Sequence, residues 1–175
     1  MRLNGISKLR HFAAALMVLG ATAGCGSSAL TDGKIFGILK TANDGEIKAS
    51  QRAQEHAQGT SAKDYASMVN SMHTDANARQ TKLATDQGIT PVTSTDNTSL
   101  QSANDAVYAK LVAAPDSAFD SEYITQMIES HQKVLDLLDN DMIPAAHNAS
   151  LKTELATTKA AVTDHLNKAK AIKAQ

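Results

Sequence analysis

Apolar residues recur at the 3.6-residue spacing of an α-helix in four long segments of this chain. The first segment begins at a Thr31 or Asp32 cap and closes near Gly59. The second is capped by Ser61 and stops at Gly88, a residue type that commonly ends helices. Each segment is therefore predicted to form an amphipathic helix that packs one face against its neighbours.

Two more long helices are predicted after a connecting region. A polar stretch at 93–99 leads into a shorter amphipathic piece at 100–113. The third long helix is capped by Ser117 and ends before Pro144, and the fourth starts at an Asn148 cap. The pattern predicts an all-α fold, a four-helix bundle with a short connector helix between the second and third long helices.

The composition favours helices over sheets. The 175 residues include no Trp and three Pro, and aromatic residues make up 3% of the chain, which leaves little material for a β-sandwich or barrel core. A charged fraction of 20% without a long low-complexity tract argues against disorder, and the length argues against a multi-domain enzyme. A single helical domain is the expectation.

Residues 1–24 have the features of an export signal. Three basic residues lie within the first ten positions, and the apolar run at 12–23 is too short to be a stable membrane anchor. The small residues that follow precede Cys25, the only cysteine, as in a bacterial lipobox, although Thr22 stands where Leu is usual. This region predicts a lipoprotein signal peptide that is cleaved before Cys25.

Lipidation of the Cys25 sulfur would attach the mature chain to a membrane. Plain secretion with a spare thiol is the alternative. Asp directly after the lipidated residue resembles an inner-membrane retention signal, and this chain has Gly26 there, which points to a periplasm-facing lipoprotein of the outer membrane. The mature chain would consist of a tether at 25–30 and a helical domain at 31–175.

The charge of the mature chain makes nucleic acid an unexpected partner. Removal of the signal leaves 14 Lys and Arg against 18 Asp and Glu, a net charge near −4, with no basic stripe. The sequence also has no Ser-His-Asp arrangement, phosphate loop or nucleotide-binding fingerprint, so an enzyme is less favoured than a binding or structural role.

Four ionisable residues lie on the apolar stripes, one on each long helix: Glu46, His73, His131 and His165. Residue counts from the predicted helix ends place Glu46 and His73 at the same height in an antiparallel pair. The same counts leave His131 and His165 about 10 Å apart in height. The sequence therefore predicts a polar cluster in the core and leaves its coplanarity open.

An ordered series of motifs extends over 30–172. It comprises Leu30-Thr31-Asp32, Glu46-Ile47, Met68, His73-Thr74, Ala76-Asn77, Leu83-Ala84, Gly88-Ile89-Thr90-Pro91, Phe119-Asp120-x-x-Tyr123, Met127-x-x-x-His131, Asn148-x-x-Leu151-Lys152 and His165-Leu166-x-x-Ala169. The series resembles a bacterial ferritin-like family, domain of unknown function 4142, often described as predicted outer-membrane or periplasmic proteins. The resemblance implies a ferritin-like bundle and an envelope location, with no established activity. Members usually have an acidic residue before the second-helix histidine, where this chain has Met72.

A ferritin-like fold suggests a di-iron centre, which the sequence opposes. Di-iron sites take a Glu-x-x-His from each of two helices, and the residues three before the core histidines are Asn70, Ile128 and Val162. Three histidines with one carboxylate suit one transition-metal ion instead, and we name copper or zinc as candidates. A structural network of polar side chains without metal is the alternative interpretation.

Several other side chains lie within about one helical turn of the histidines. Met68, Met72 and Met127 carry thioethers that favour copper(I), although Met at this spacing more often fills a core. Tyr123 is expected to pack with a buried hydrogen-bond partner, and a ligand or radical role is the lesser interpretation.

Two hypotheses about function follow from the sequence. In the first, an envelope-anchored lipoprotein binds one metal ion through Glu46, His73, His131 and His165, with Met72, Met127 and Tyr123 around them. In the second, the protein is a structural or interaction protein of the bacterial envelope that binds no metal. The sequence identifies neither the metal nor a protein partner.

Overall fold

All regular structure in residues 29–174, the part of the chain that the computed structural model describes, is helical. The prediction of an all-α fold is confirmed, with five helices: α1 Asp32–His56, α2 Thr60–Asp86, α3 Thr95–Ala113, α4 Asp116–Leu137 and α5 Ala149–Lys173. None of these helices has the length and apolar content needed to cross a membrane. The predicted signal peptide and Cys25 lie outside the described residues.

The helix ends follow local capping chemistry at two of the four predicted starts. The Thr31 hydroxyl accepts a hydrogen bond from the backbone of α1 at 3.4 Å, and Asn148 Oδ1 accepts one from α5 at 3.0 Å. The predictions for Ser61 and Ser117 were wrong, because α2 starts directly after Gly59 and α4 directly after a proline. At Gly59 the N–H groups of the loop are bound by a carboxylate from another helix.

Two aspartates cross-link the helix pairs α1–α2 and α4–α5. Asp120 of α4 accepts hydrogen bonds from the backbone N–H groups at positions 58 and 59, at 2.9 and 2.6 Å. Asp32 of α1 accepts from those at positions 147 and 148, at 2.8 and 2.9 Å. Each pair therefore fixes the loop of the other, which sets the relative height of all four long helices.

The connector between α2 and α4 is longer than predicted. It is a helix of 19 residues that includes most of the polar stretch at 93–99, because Asn97 and Ser94 form a capping box at its start. Asn97 and Asn104 donate to the side chain and carbonyl of Thr41 at 3.0 and 2.9 Å, which holds α3 against α1. Gly45 makes room there for the Asn104 side chain.

The prediction that the third long helix ends before Pro144 was wrong. The helix continues from α4 through a π-helical segment, Leu138–Met142, into a final turn, Ile143–Ala145, that contains Pro144. Proline has no N–H and its ring crowds the carbonyl four residues back, so an ordinary α-turn is disfavoured there. The wider turn, in which the Ile143 N–H donates to the Leu138 carbonyl, accommodates it.

The core has two apolar clusters, one toward each end of the long helices. One cluster includes Ile35, Leu39, Leu138 and Leu151, and the other includes Ala53, Tyr65, Phe119 and Met127. On each long helix a buried ionisable residue lies between the members of the two clusters. These residues are, from α1 through α2 and α4 to α5, Glu46, His73, His131 and His165. A buried polar layer therefore separates the two halves of the core.

We expect Asp120→Ala to lower the free energy of unfolding by about 1–2 kcal/mol, because two backbone donors lose a charged acceptor. Urea denaturation monitored by circular dichroism measures the change. Asp116→Ala is the matched control, since it removes an exposed carboxylate from the first turn of the same helix and is expected to change stability by less than about 0.5 kcal/mol. Equal effects of the two substitutions would contradict the cross-link.

Candidate metal centre

Three imidazole rings from different helices meet in the polar layer. His73, His131 and His165 are 6%, 1% and 2% exposed, and one nitrogen from each lies within 4.8 Å of the others. Nε2 of His131 and Nδ1 of His165 lie 3.3 Å apart. The packing of α2, α4 and α5 thus brings together three residues that are 34 to 92 positions apart in the sequence.

His131 and His165 lie at nearly the same height along the bundle, which differs from the expectation. With α4 extended through its π-helical segment to Ala145, His131 lies 14 residues before that helix end, and His165 lies 16 residues after Ala149. Two residues of helix correspond to about 3 Å. The expected difference of about 10 Å was wrong because it placed the helix end too early.

The proton of His131 is fixed by its backbone partner. Nδ1 lies 2.8 Å from the Met127 carbonyl, which can only accept a hydrogen bond. Nδ1 therefore carries the proton, and the lone pair of Nε2 faces the other histidines.

A chain of amide side chains fixes the proton of His73. Gln80 Nε2 donates to the carboxylate of Glu154 at 3.2 Å, so Gln80 Oε1 is free to accept from Asn43 Nδ2 at 2.9 Å. Asn43 Oδ1 then accepts from Nδ1 of His73 at 2.9 Å. The lone pair of His73 is consequently on Nε2, a buried atom with no hydrogen-bond partner in the described part of the chain.

His165 faces an acceptor with each of its ring nitrogens. Nδ1 lies 3.3 Å from the Nε2 lone pair of His131, and Nε2 lies 3.1 Å from Sδ of Met72. A neutral imidazole has one proton and can satisfy only one of these contacts. The N–H groups of His73 and His131 are engaged outside the cluster, so the nitrogens that face one another inside it hold more lone pairs than hydrogens.

Burial keeps the three rings neutral. It lowers the pKa of His131 and His165 from 6.5 to about 4, and it lowers the pKa of His73 well below its ordinary value, aided by the other two imidazoles. Neutral imidazole is the form that binds metal, so no proton has to leave these rings at neutral pH.

Glu46 lies beside the cluster rather than within it. Its Oε1 is 3.9 Å from Nδ1 of His131, on the edge of the ring opposite the lone pair, and its Oε2 is buried without a partner in the described residues. Burial raises the pKa of Glu46 from 4.5 to about 8. A cavity of about 10 Å³, room for about one water molecule, lies between Glu46, Asn43, His73 and His131.

The other residues that sequence spacing places near the site have different positions. The Met127 side chain lies in an apolar cluster, and this residue meets His131 through its carbonyl. Tyr123 shares a hydrogen bond of 3.0 Å with Ser50, and burial raises its pKa. Of the methionines near the histidines, Met72 alone directs its sulfur at a ring nitrogen of the cluster.

Sequence reasoning missed the amides that support His73. Asn43 and Gln80 are 4% exposed, and Gln80 also donates to Thr158 at 3.3 Å. A signal was present, because Asn43 precedes Glu46 by three residues and Gln80 follows His73 by seven, which puts each on the same helix face as its neighbour. Tyr65, also missed, donates to the His165 carbonyl at 3.1 Å.

The fold and site define a class: an all-helical protein with a buried cluster of three neutral histidines. A family model described as Domain of unknown function (DUF4142) matches residues 19–172. The chain belongs to this family, as the motif series indicated. No curated protein and no solved structure shows significant similarity to the chain.

We expect the stability of the metal-free protein to be greatest near about pH 7. Below that pH the unfolded histidines bind protons that the folded ones do not, so the free energy of unfolding falls toward pH 4. Glu46 acts oppositely, because its raised folded pKa makes stability fall as pH rises from about 4.5 to about 8. Three histidines outweigh one carboxyl on the acid side, and above about pH 7.5 the unfolded histidines are largely deprotonated, so Glu46 dominates there.

Urea midpoints with chelator at about pH 5.5, 6.5 and 8 measure both limbs. Glu46→Gln keeps the shape of the side chain and removes its titration, so it should abolish the alkaline decline and keep the acid decline. Midpoints of the wild type that stay constant from about pH 5.5 to 7.5 would show that the histidines are not buried in their neutral form.

Proposed function

We propose that this protein binds one transition-metal ion through His73, His131 and His165. The observation that carries the proposal is the convergence of three buried, neutral imidazoles whose lone pairs exceed the available hydrogens. A buried lone pair without a donor is unfavourable, and a cation that accepts three of them removes that penalty.

The spacing of the nitrogens suits a tetrahedral ion. Two nitrogens that each lie 2.0–2.1 Å from a tetrahedral zinc ion are about 3.3–3.4 Å apart. Nε2 of His131 and Nδ1 of His165 have a separation of 3.3 Å. His73 completes the set after a movement of about 1 Å or slightly more, since its nitrogen lies within 4.8 Å of the other two.

The surroundings resemble those that support metal-bound histidines. Such histidines usually hydrogen-bond through their second nitrogen to a carbonyl or carboxylate, which orients the ring. The Met127 carbonyl and Asn43 Oδ1 have this position for His131 and His73. Glu46 is close enough to contribute a negative charge once a cation is bound, because a nearby positive charge favours its ionised form.

For location and architecture we propose what the sequence predicts. Residues 1–24 would direct export, lipid on Cys25 would attach the mature chain to the outer membrane of a bacterial envelope, and residues 25–30 would serve as the tether. The helical domain would be a ferritin-like four-helix bundle, with α3 as an additional helix against α1. Storage, buffering and sensing of a metal all fit such a protein.

One observation favours the alternative of a structural polar core. The amide chain from Glu154 to His73 satisfies most of its own donors and acceptors, as a network that specifies helix register would. In that case the layer would select one packing of the long helices, and the exposed faces would bind an unidentified envelope partner.

Metal binding should stabilise the folded protein. An ion at about a hundredfold over its dissociation constant contributes about 2.7 kcal/mol, or a melting shift of roughly 5–10 °C for a domain of this size. His131→Gln and His165→Gln should abolish the shift with zinc or copper(II), and chelator should reverse it in the wild type. Differential scanning calorimetry of the untagged mature domain measures these shifts.

His147→Gln is the matched control, because this histidine is exposed near a helix start and should retain the full shift. The two functional hypotheses predict different stabilities for the variants without metal. A structural core predicts that His131→Gln loses about 1–3 kcal/mol without metal and that no metal stabilises any form. That result, with no metal in the purified wild type, would contradict metal binding.

Lipidation is tested separately from metal binding. The wild-type chain expressed in a bacterium should fractionate with membranes, and intact mass should show cleavage before residue 25 with added diacylglycerol and acyl groups. Cys25→Ala should lack the added mass. Recovery of soluble mature wild-type protein with an unmodified Cys25 would contradict the lipoprotein assignment.

A further inference from the structure

Met72 differs from its neighbour Met68 in what its sulfur contacts. Sδ of Met72 lies 3.1 Å from Nε2 of His165, whereas Sδ of Met68, one turn earlier on α2, lies 3.5 Å from the ammonium group of Lys168. Met68 therefore faces a positive charge that would repel a bound cation, and Met72 faces an imidazole nitrogen.

Met72 is partly exposed to solvent, whereas the three histidines are buried. The residue is 38% exposed, which makes it one of few large apolar residues at the surface of the described chain, while His165 is 2% exposed. The contact between them joins the surface to the buried cluster. The contact itself is partly buried, and Met72 belongs to neither apolar cluster of the described chain, whereas Met68 packs against one of them.

The two atoms form a donor pair of defined chemical preference. Thioether sulfur is a soft ligand that selects copper(I) among biological metals, and imidazole binds copper as well. In one tautomer of His165, Nδ1 carries the proton and donates a hydrogen bond to Nε2 of His131 at 3.3 Å. The lone pair of His165 is then on Nε2 and faces Met72. Rotation of the flexible methionine side chain makes room for an ion between sulfur and nitrogen.

We propose that Sδ of Met72 and Nε2 of His165 form an outer binding position for copper(I) at the edge of the three-histidine cluster. This inference rests on the proposed metal-binding function and names the ion that the site takes from solution. The outer position captures a soft monovalent ion, and the histidines behind it provide the buried position.

Silver(I) is the probe, because it is soft, monovalent and not subject to oxidation in air. In protein labelled with ¹³C at the methionine methyl groups, the Met72 resonance should shift on addition of one equivalent of silver(I), and the Met68 resonance should not. Met72→Leu keeps the volume of the side chain and removes the sulfur. It should weaken silver(I) and anaerobic copper(I) binding by about tenfold or more in competition with a chromophoric chelator, and leave zinc binding within about twofold.

Met68→Leu is the matched control and should leave the binding of all three ions unchanged. A wild type that binds zinc but shows no Met72 shift with silver(I), and a Met72→Leu variant with wild-type silver(I) affinity, would overturn the outer position and leave the proposed function intact. A wild type that binds none of the three ions would overturn both.

Discussion

The polar layer depends on the direction of one hydrogen-bond chain. Glu154 can only accept, so Gln80 must donate to it, Asn43 must donate to Gln80, and the His73 proton must be on the nitrogen next to Asn43. The chain begins at a partly exposed carboxylate and ends in the core. A second chain gives the Asn43 amide the same orientation, because Asn77 donates to Asp44 and accepts from Asn43 Nδ2. Surface charge thus determines which nitrogen of a buried ring has a lone pair.

The polar layer lies between two apolar clusters, an environment that is unfavourable for polar groups. Apolar clusters on both sides exclude water from the layer, which keeps the histidines and Glu46 neutral and leaves Nε2 of His73 without a partner. A core selected for stability alone would place apolar residues at these positions, since a polar group that is left unsatisfied is destabilising. Local conflict of this kind is most common at functional sites.

Helical periodicity predicted which ionisable residues are buried better than it predicted the helix boundaries. Glu46, His73, His131 and His165 could be placed in the core from their spacing among apolar residues, and all four are buried. Helix α3 was underestimated because its side chains are mostly exposed, with Asn97 and Leu111 as its buried residues, so its apolar pattern is weak. The π-helical turn before Pro144 left no recognisable pattern, yet it sets the height of His131 relative to His165.

Periodicity gives the face on which a side chain lies and not the direction of its terminal atoms. Three methionines share a similar spacing from the histidines, and only distances distinguish the sulfur of Met72 from those of Met68 and Met127. The same limit applies to His165, whose two nitrogens face opposite partners. Because a neutral imidazole has one lone pair, an ion on Nε2 of His165 requires the proton on Nδ1, and an ion on Nδ1 requires it on Nε2. Exchange of an ion between the proposed outer position and the proposed buried one would therefore require the proton of His165 to move the opposite way.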